Sequence, residues 1–283
     1  SLVNFEKFIN DGENYCDNIP FPHCISDGIW DKNFLENVEK EIKSFKEWDG
    51  EKDFYGAIGK RYCGSKEKLP IHVRKIIDIS SLPVFIKCLE KITGEEGLIP
   101  DPYLEGGGIH STINKGFLKM HTDFNWHKEL KLFRRLNLLI YVNSGWQENW
   151  LGDLKLGLMK KNKMNIYSKI SPKFNRTVLF TTTNSSFHGH PEELNAPEGI
   201  ARNSIALYYY VSANPYRTSF SKRETTTYFF YDTNIVLRAL KKIMSFVRNF
   251  KRKGTSLIKK INTKYFYDTR KKVRRIVLRA FKK

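Results

Sequence analysis

Residues 117–127 read Phe-Leu-Lys-Met-His-Thr-Asp-Phe-Asn-Trp-His. His121-Thr122-Asp123 closes a predicted strand, and in an extended segment residues i and i+2 point to the same face. His121 and Asp123 can therefore converge on one point. A second stretch, Ser186-Phe187-His188-Gly189-His190-Pro191, follows another predicted strand and offers a distant imidazole. His188 and His190 are themselves two residues apart, so spacing alone leaves either as the third member. Two neutral imidazoles and one carboxylate suit Fe(II) and leave three coordination positions open for a co-substrate and oxygen. The bland reading of a lone His-x-Asp is a surface histidine beside a turn-capping aspartate. His127, six residues past His121, is expected to pack or to touch substrate.

Outward from this stretch the chain is rich in short strands. Gly108–Ile113, Gly116–Met120, Leu136–Val142, Asp153–Leu158, Met164–Ile170, Thr177–Thr182 and Ser204–Val211 are separated by turn signals such as Asn143-Ser144-Gly145 and Ser171-Pro172. Before residue 100 the periodicity is helical. Phe34, Leu35, Val38, Ile42 and Phe45 recur at three- and four-residue steps over Asp31–Trp48, with Asp31 as N-cap and Asp49-Gly50 as stop. A second helix starts near Leu82-Pro83 and ends at Gly94. Helices followed by many short strands predict an α+β fold with a sandwich or jelly-roll core flanked by N-terminal helices.

The chain has 283 residues, with 49 Lys+Arg against 30 Asp+Glu and a net charge of +19. That charge is not spread evenly. Residues 233–283 hold 18 basic residues and one acid, Asp268, so the body before them carries only +2. In this tail Val236, Leu240, Ile243, Val247 and Phe250 form an apolar stripe among lysines and arginines. A basic amphipathic helix of this kind lies on an anionic membrane surface, docks on a partner or on its own domain, or binds nucleic acid. The apolar stripe favours the membrane surface over nucleic acid. Four cysteines do not make a disulfide scaffold, the N-terminus lacks a signal-peptide pattern, and no apolar run is long enough to span a bilayer. The expectation is a cytoplasmic body, peripheral on a membrane through residues 234–283.

Arg202-Asn203-Ser204 opens the strand that follows the histidine cluster. A guanidinium grips a carboxylate through paired hydrogen bonds, and a hydroxyl two residues on shares its face. A His-x-Asp, a distal His, and then Arg-x-Ser on a strand resembles the iron(II)- and 2-oxoglutarate-dependent oxygenases, most nearly their prolyl 4-hydroxylase-like branch. Phe133-Arg-Arg-Leu-Asn-Leu-Leu-Ile-Tyr-Val-Asn143, Trp146 to Leu156, Thr181 to Pro191 and Pro197 to Arg202 agree with that branch as well, so the resemblance covers roughly residues 103–215.

The resemblance implies a double-stranded β-helix, that is, a jelly-roll core at about 101–215, within an oxygenase domain of residues 1–232. The helical part would occupy about 1–100 and the basic extension 233–283. It implies Fe(II), 2-oxoglutarate as co-substrate and O2. The iron ligands would be His121, Asp123 and His188, because the family places Gly directly after the metal histidine, as Gly189 stands here. Arg202 would bind the distal carboxylate of 2-oxoglutarate with Ser204, and Asn137 and Tyr141, on one face of their strand, would hydrogen-bond the co-substrate. The insert Glu192–Ile200 would have to form a loop for Arg202 to reach this place. His190, His127 and Trp126 are left as substrate contacts, with His190 alternatively supporting a metal ligand, and Phe124, Trp126 and Phe187 are walls of a water-poor pocket or plain core. The reaction implied is hydroxylation of an unactivated C–H bond with release of succinate and CO2. The acceptor is a peptide, a prolyl residue among the choices, or a small molecule. The rival class is a non-catalytic jelly-roll binding protein that works through its basic tail.

Overall fold

The computed structural model describes residues 1–161, 163–213 and 225–230, all within one compact unit, Ser1–Tyr231. The predicted basic helix of the tail lies outside the described residues. Among them, no helix is long and apolar enough to cross a membrane.

Four helices come mainly from the first hundred residues: α1 Phe5–Asp11, α2 Lys32–Ser44, α3 Ile71–Ser80 and α4 Pro83–Thr93. Asp31 caps α2 as its sequence position predicts, accepting from the Phe34 amide at 2.7 Å. The helix ends at Ser44, earlier than Trp48, and Phe45 is already extended. Pro83 opens α4, and Gly94 closes it in the left-handed region at φ 70°.

Strands interleave with the helices. The first four are β1 His23–Asp27, β2 Gly50–Phe54, β3 Ala57–Cys63 and β4 Ile99–Pro100. Then come β5 Gly108–Thr122, β6 Trp126–His127, β7 Leu132–Tyr141, β8 Leu154–Lys160, β9 Lys163–Ile170 and β10 Arg176–Thr181. The last are β11 Phe187–His190, β12 Arg202–Val211 and β13 Tyr228–Phe229. All join one antiparallel sheet whose main path runs β1-β10-β7-β12-β5-β11-β8-β9. β5 is the hinge of this path. Its first half, Gly108 to Thr112, pairs with β12, and its second half, Leu118 to His121, pairs with β11. The sheet thus curls over itself into a jelly roll, with Gly116 and Lys115 (φ 63°) at the turn. Gly50, expected to stop a helix, instead starts the hairpin β2–β3, which the sequence reading did not find.

The sheet has two differently dressed faces. On β12, Ile205, Leu207, Tyr209 and Val211 join the helices in the main apolar cluster, and so do Leu136, Leu138 and Ile140 of β7. The alternate residues, Arg202, Ser204, Ala206 and Tyr208 with Asn137, Leu139 and Tyr141, turn inward and line a cavity. Period-two alternation along two neighbouring buried strands therefore builds the helix-packed core and the site at once.

Candidate metal centre

His121 on β5 and His188 on β11 are directly opposite each other, and their ring centroids are 4.4 Å apart. Asp123 follows two residues after His121. Its Oδ1 lies 3.6 Å from His121 Nε2 and its Oδ2 lies 3.3 Å from His188 Nε2. One ligand atom from each of the three falls within 4.8 Å of the others, the one such cluster among the described residues. Both imidazoles are turned the same way. His121 Nδ1 is 2.8 Å from the Lys119 carbonyl and His188 Nδ1 is 3.1 Å from the Ser186 carbonyl. Each Nδ1–H donates to its carbonyl, which fixes the tautomer and leaves Nε2 as the free lone pair. Burial, then the neighbouring His188, pushes His121 down to about 3, so it is neutral as a ligand must be.

Asp123 is held from behind. Arg134 Nη2 approaches Oδ2 at 2.9 Å and Asn137 Nδ2 donates to it at 2.8 Å, while Arg134 Nε and Nη2 donate to Asn137 Oδ1 at 2.9 and 2.8 Å. Burial alone would raise the Asp123 carboxyl, but Arg134 and the two histidines hold it well below the usual range. The Arg134 guanidinium is buried, 3.4 Å above the Tyr208 ring centroid. Arg134 faces inward because of a break in register, since Tyr209 pairs with Leu136 while Tyr210 pairs with Arg134. The extra residue, Arg135, is a β-bulge that turns outward to Glu95.

The other end of the cavity is built by Arg202, the first residue of β12. Its Nε donates to the Gly152 carbonyl at 2.7 Å and its Nη2 to Tyr141 Oη at 3.0 Å. Ser204 shares this face and is in register with Tyr141. The loop over Glu192–Ile200 does form. It is pinned by Leu194, whose backbone exchanges hydrogen bonds with Lys115 and Gly116, so the longer insert still delivers Arg202 to the cavity. His190 is buried and also lines the cavity, but it stands opposite Leu118 rather than His121 and is not in the cluster with Asp123. Burial, then Arg202, keeps it neutral.

Two sequence expectations, for Trp126 and Phe187, are corrected, and His127 takes the packing alternative rather than the substrate one. His127 does not line the cavity. It is buried with Nε2 3.4 Å from both Asp101 and Glu105, while its Nδ1 accepts from the Glu129 and Leu130 amides, and so ties two loops together. Trp126 packs edge-on against Phe133 and belongs to the helix-side core. Phe187 packs against Tyr228 and Phe230, and of the three expected aromatic walls only Phe124 lines the cavity. Asn137 does line it but spends its amide on Asp123 and its carbonyl on Arg134. Arg134, Lys52, Lys60, His110 and Phe229 line the cavity and were not anticipated. An arginine pair inside a largely apolar β7 pattern was the available signal for Arg134. The other four depend on long-range strand pairing that spacing does not reveal.

With this geometry in place, residues 107–210 match the family described as the 2OG-Fe(II) oxygenase superfamily. Over that stretch the chain is similar to this superfamily. Its members use Fe(II), 2-oxoglutarate and O2. Among solved structures, a prolyl hydroxylase from Trichoplax adhaerens, in complex with a hypoxia-inducible-factor oxygen degradation domain peptide, is similar at 18% identity. That likeness covers 73% of this chain and 90% of that one, at a TM-score of 0.50. A Pseudomonas putida prolyl-4-hydroxylase is similar at 11% identity over 73% of this chain and 99% of that one, TM-score 0.49. HygX from Streptomyces hygroscopicus, solved with nickel, 2-oxoglutarate and hygromycin B, is similar at 11% identity over 71% and 84%, TM-score 0.46. No curated protein sequence matches. The likeness to the Trichoplax enzyme shows a shared fold, in which the 2OG-Fe(II) oxygenase region supplies the jelly roll.

Proposed function

We propose that this protein is an Fe(II)- and 2-oxoglutarate-dependent dioxygenase that hydroxylates an unactivated C–H bond, with a prolyl residue of a peptide as the first acceptor to test. The observation that carries the reading is the convergence of His121 Nε2, His188 Nε2 and the Asp123 carboxylate on one point in a buried cavity. Two imidazoles that each present Nε2 and one ionised carboxylate, all pre-oriented by hydrogen bonds on their far sides, fit a divalent iron. When bound, iron with 2-oxoglutarate and oxygen supplies the oxidant: one oxygen atom goes to the acceptor C–H, the other to succinate, and CO2 leaves.

The chain's own part is orientation and exclusion of water. His121, Asp123 and His188 hold the metal, and Arg134 with Asn137 keeps Asp123 ionised and aimed. Arg202, backed by Tyr141 and Ser204, receives the remote carboxylate of 2-oxoglutarate through charge-assisted hydrogen bonds. Phe124, Leu139, Leu154 and Phe229 wall the cavity and strengthen these interactions by excluding water. A peptide acceptor is suggested by the fold shared with a peptide-bound prolyl hydroxylase. The basic tail, residues 234–283, is proposed to hold the protein at an anionic membrane, and its deletion should abolish binding to anionic liposomes.

The deciding experiment measures Fe(II) binding and succinate formation from 2-oxoglutarate for the wild type and Asp123→Ala. The proposal requires iron-dependent turnover that Asp123→Ala abolishes with the circular dichroism spectrum unchanged. A wild type that binds no Fe(II) and turns over no 2-oxoglutarate would instead fit a jelly-roll binding protein.

A further inference from the structure

Three of the four residues in one row across the sheet are cations. Lys52 on β2 is directly opposite Lys60 on β3, Lys60 is opposite Thr112 on β5, and Thr112 is opposite Arg202 on β12. All four line the metal cavity. Directly opposed like charges repel, and strands are only about 4.8 Å apart, so Lys52 beside Lys60 is unfavourable on its own.

The other cavity cations are answered. Arg134 pairs with Asp123, the one carboxylate among the cavity's lining residues, and Arg202, held by the Gly152 carbonyl and Tyr141 Oη, is the residue proposed above to receive the co-substrate's remote carboxylate. Lys52 and Lys60 have no ion pair among the described residues; the Lys52 ammonium stands 5.5 Å over the Tyr62 ring. Lys60 is 8% exposed, and burial, then repulsion from Lys52 and Arg202, pushes its ammonium down to about 7. A buried cation without a partner is costly to keep.

The position of the pair distinguishes it from the co-substrate end. Lys52, with Gly106 and His110, also borders a second cavity of about 570 Å³, so the two cavities share part of their lining. Lys52 thus stands between the two cavities, with Lys60 directly opposite it on the hairpin and facing the metal cavity.

We propose that Lys52 and Lys60 form an anion seat for the acceptor, so that the molecule oxidised carries a carboxylate or phosphate near the C–H bond attacked. The proposal rests on the oxygenase reading and narrows it to an acidic acceptor, either an acidic peptide or a small organic acid. It places the specificity determinant on the β2–β3 hairpin, outside the region that matches the superfamily.

The test uses the whole protein loaded with Mn(II) and N-oxalylglycine, an inert analogue of 2-oxoglutarate, titrated with inorganic phosphate by calorimetry. The wild type should bind one phosphate. Lys52→Met and Lys60→Met should each weaken it about tenfold or more, and Lys60→Arg should restore it. In a separate titration, 2-oxoglutarate affinity should stay within about threefold in both lysine variants and collapse in Arg202→Met. Displacement of the phosphate by a glutamate-containing prolyl peptide, but not by free glutarate, assigns the seat to peptides, and the reverse assigns it to small acids. The proposal is overturned if Lys60→Met loses 2-oxoglutarate as Arg202→Met does, or if the wild type binds phosphate no better than the variants. A wild type that binds no 2-oxoglutarate at all would overturn the oxygenase reading instead, whatever phosphate does. Both methionine variants should also unfold at a higher temperature than the wild type without ligand, which shows that they fold and that the lysines are kept at a cost to stability.

Discussion

Arg134 Nη2 lies 2.9 Å from Asp123 Oδ2, with both side chains withdrawn from solvent behind the metal centre. The guanidinium reaches Asp123 and Asn137 together and stacks on Tyr208, which a planar fork does and a single ammonium does not. Removing it leaves the buried carboxylate with the Asn137 amide and the two histidine rings but without its guanidinium partner. Arg134→Met should therefore destabilise the metal-free protein by about 3–5 kcal/mol, the usual cost of breaking a buried ion pair from one side. Arg134→Lys should recover only part of this. Urea unfolding of the three proteins measures it, and equal stabilities would show that Arg134 is dispensable.

His188 and His190 are both buried and both inward, yet only His188 shares a point with His121 and Asp123. His188→Ala should lower Mn(II) affinity by about a hundredfold or more, while His190→Ala should leave it within about tenfold. Calorimetric titration of Mn(II) separates the two. His190→Ala should act instead on 2-oxoglutarate, because its ring lines the cavity near Arg202.

Much of this site was legible because it lies on short, regular spacings. His121 and Asp123 share a face two residues apart, and Arg202 and Ser204 repeat that relation on β12. Tyr141 follows Asn137 by four and remains on the same face. What spacing could not show arises between distant segments. Arg134 is inward only because Arg135 is extruded as a bulge, and a bulge depends on the register of the partner strand. Lys60 enters the cavity through a hairpin that pairs with β5 across about fifty residues of chain, so nothing near it in sequence announces a ligand. His127 and Trp126 misled for the converse reason. They are close to the metal ligands in sequence, but the chain turns away after Asp123, and their side chains serve the packing of β6 on β7.

Arg202 offers a fixed fork, with one edge spent on the Gly152 carbonyl and on Tyr141 Oη. Arg202→Met should raise the 2-oxoglutarate Kd by about a hundredfold, and Tyr141→Phe and Ser204→Ala by about tenfold or less each. Affinity for 2-oxovalerate, which has the keto acid but lacks the remote carboxylate, should not change in any of them. A parallel loss for both ligands would place these residues elsewhere in the site.

Lys60 gives the protein a pH signature. Its ammonium titrates near 7 in the fold, against about 10.4 in an unfolded chain, so between those values the unfolded state binds the extra proton. The penalty is complete below about pH 7 and is relieved as pH rises through that window. It faces Lys52 from β2, His110 from β5, Arg202 from β12, and Arg134 and Asp123 at the metal end. Ligand-free wild type should therefore gain stability relative to Lys60→Met from pH 7 to about 9, by at most about 1.4 kcal/mol per pH unit. Parallel stability curves for the two proteins would show that Lys60 is not titrating there.

Gly189, between the two histidines, has no room for a side chain. A Cβ there would stand 2.7 Å from the Lys119 carbonyl oxygen and 2.8 Å from that of Leu118, both backbone atoms of the neighbouring β5. The Lys119 carbonyl is also the group that orients His121 through Nδ1. Gly189→Ala must therefore push β11 away from β5 or turn that carbonyl, and either movement spoils the alignment of His121 with His188 and Asp123. The variant should lose about 1–3 kcal/mol of stability from overpacking and about tenfold or more in Mn(II) affinity, although no ligand has been altered. Gly199→Ala is the control, since Gly199 has nothing within 4 Å of its Cβ position and should cost only its backbone strain at φ 80°. If Gly189→Ala binds Mn(II) as the wild type does, the spacing between β5 and β11 is not what sets the geometry of the two histidines.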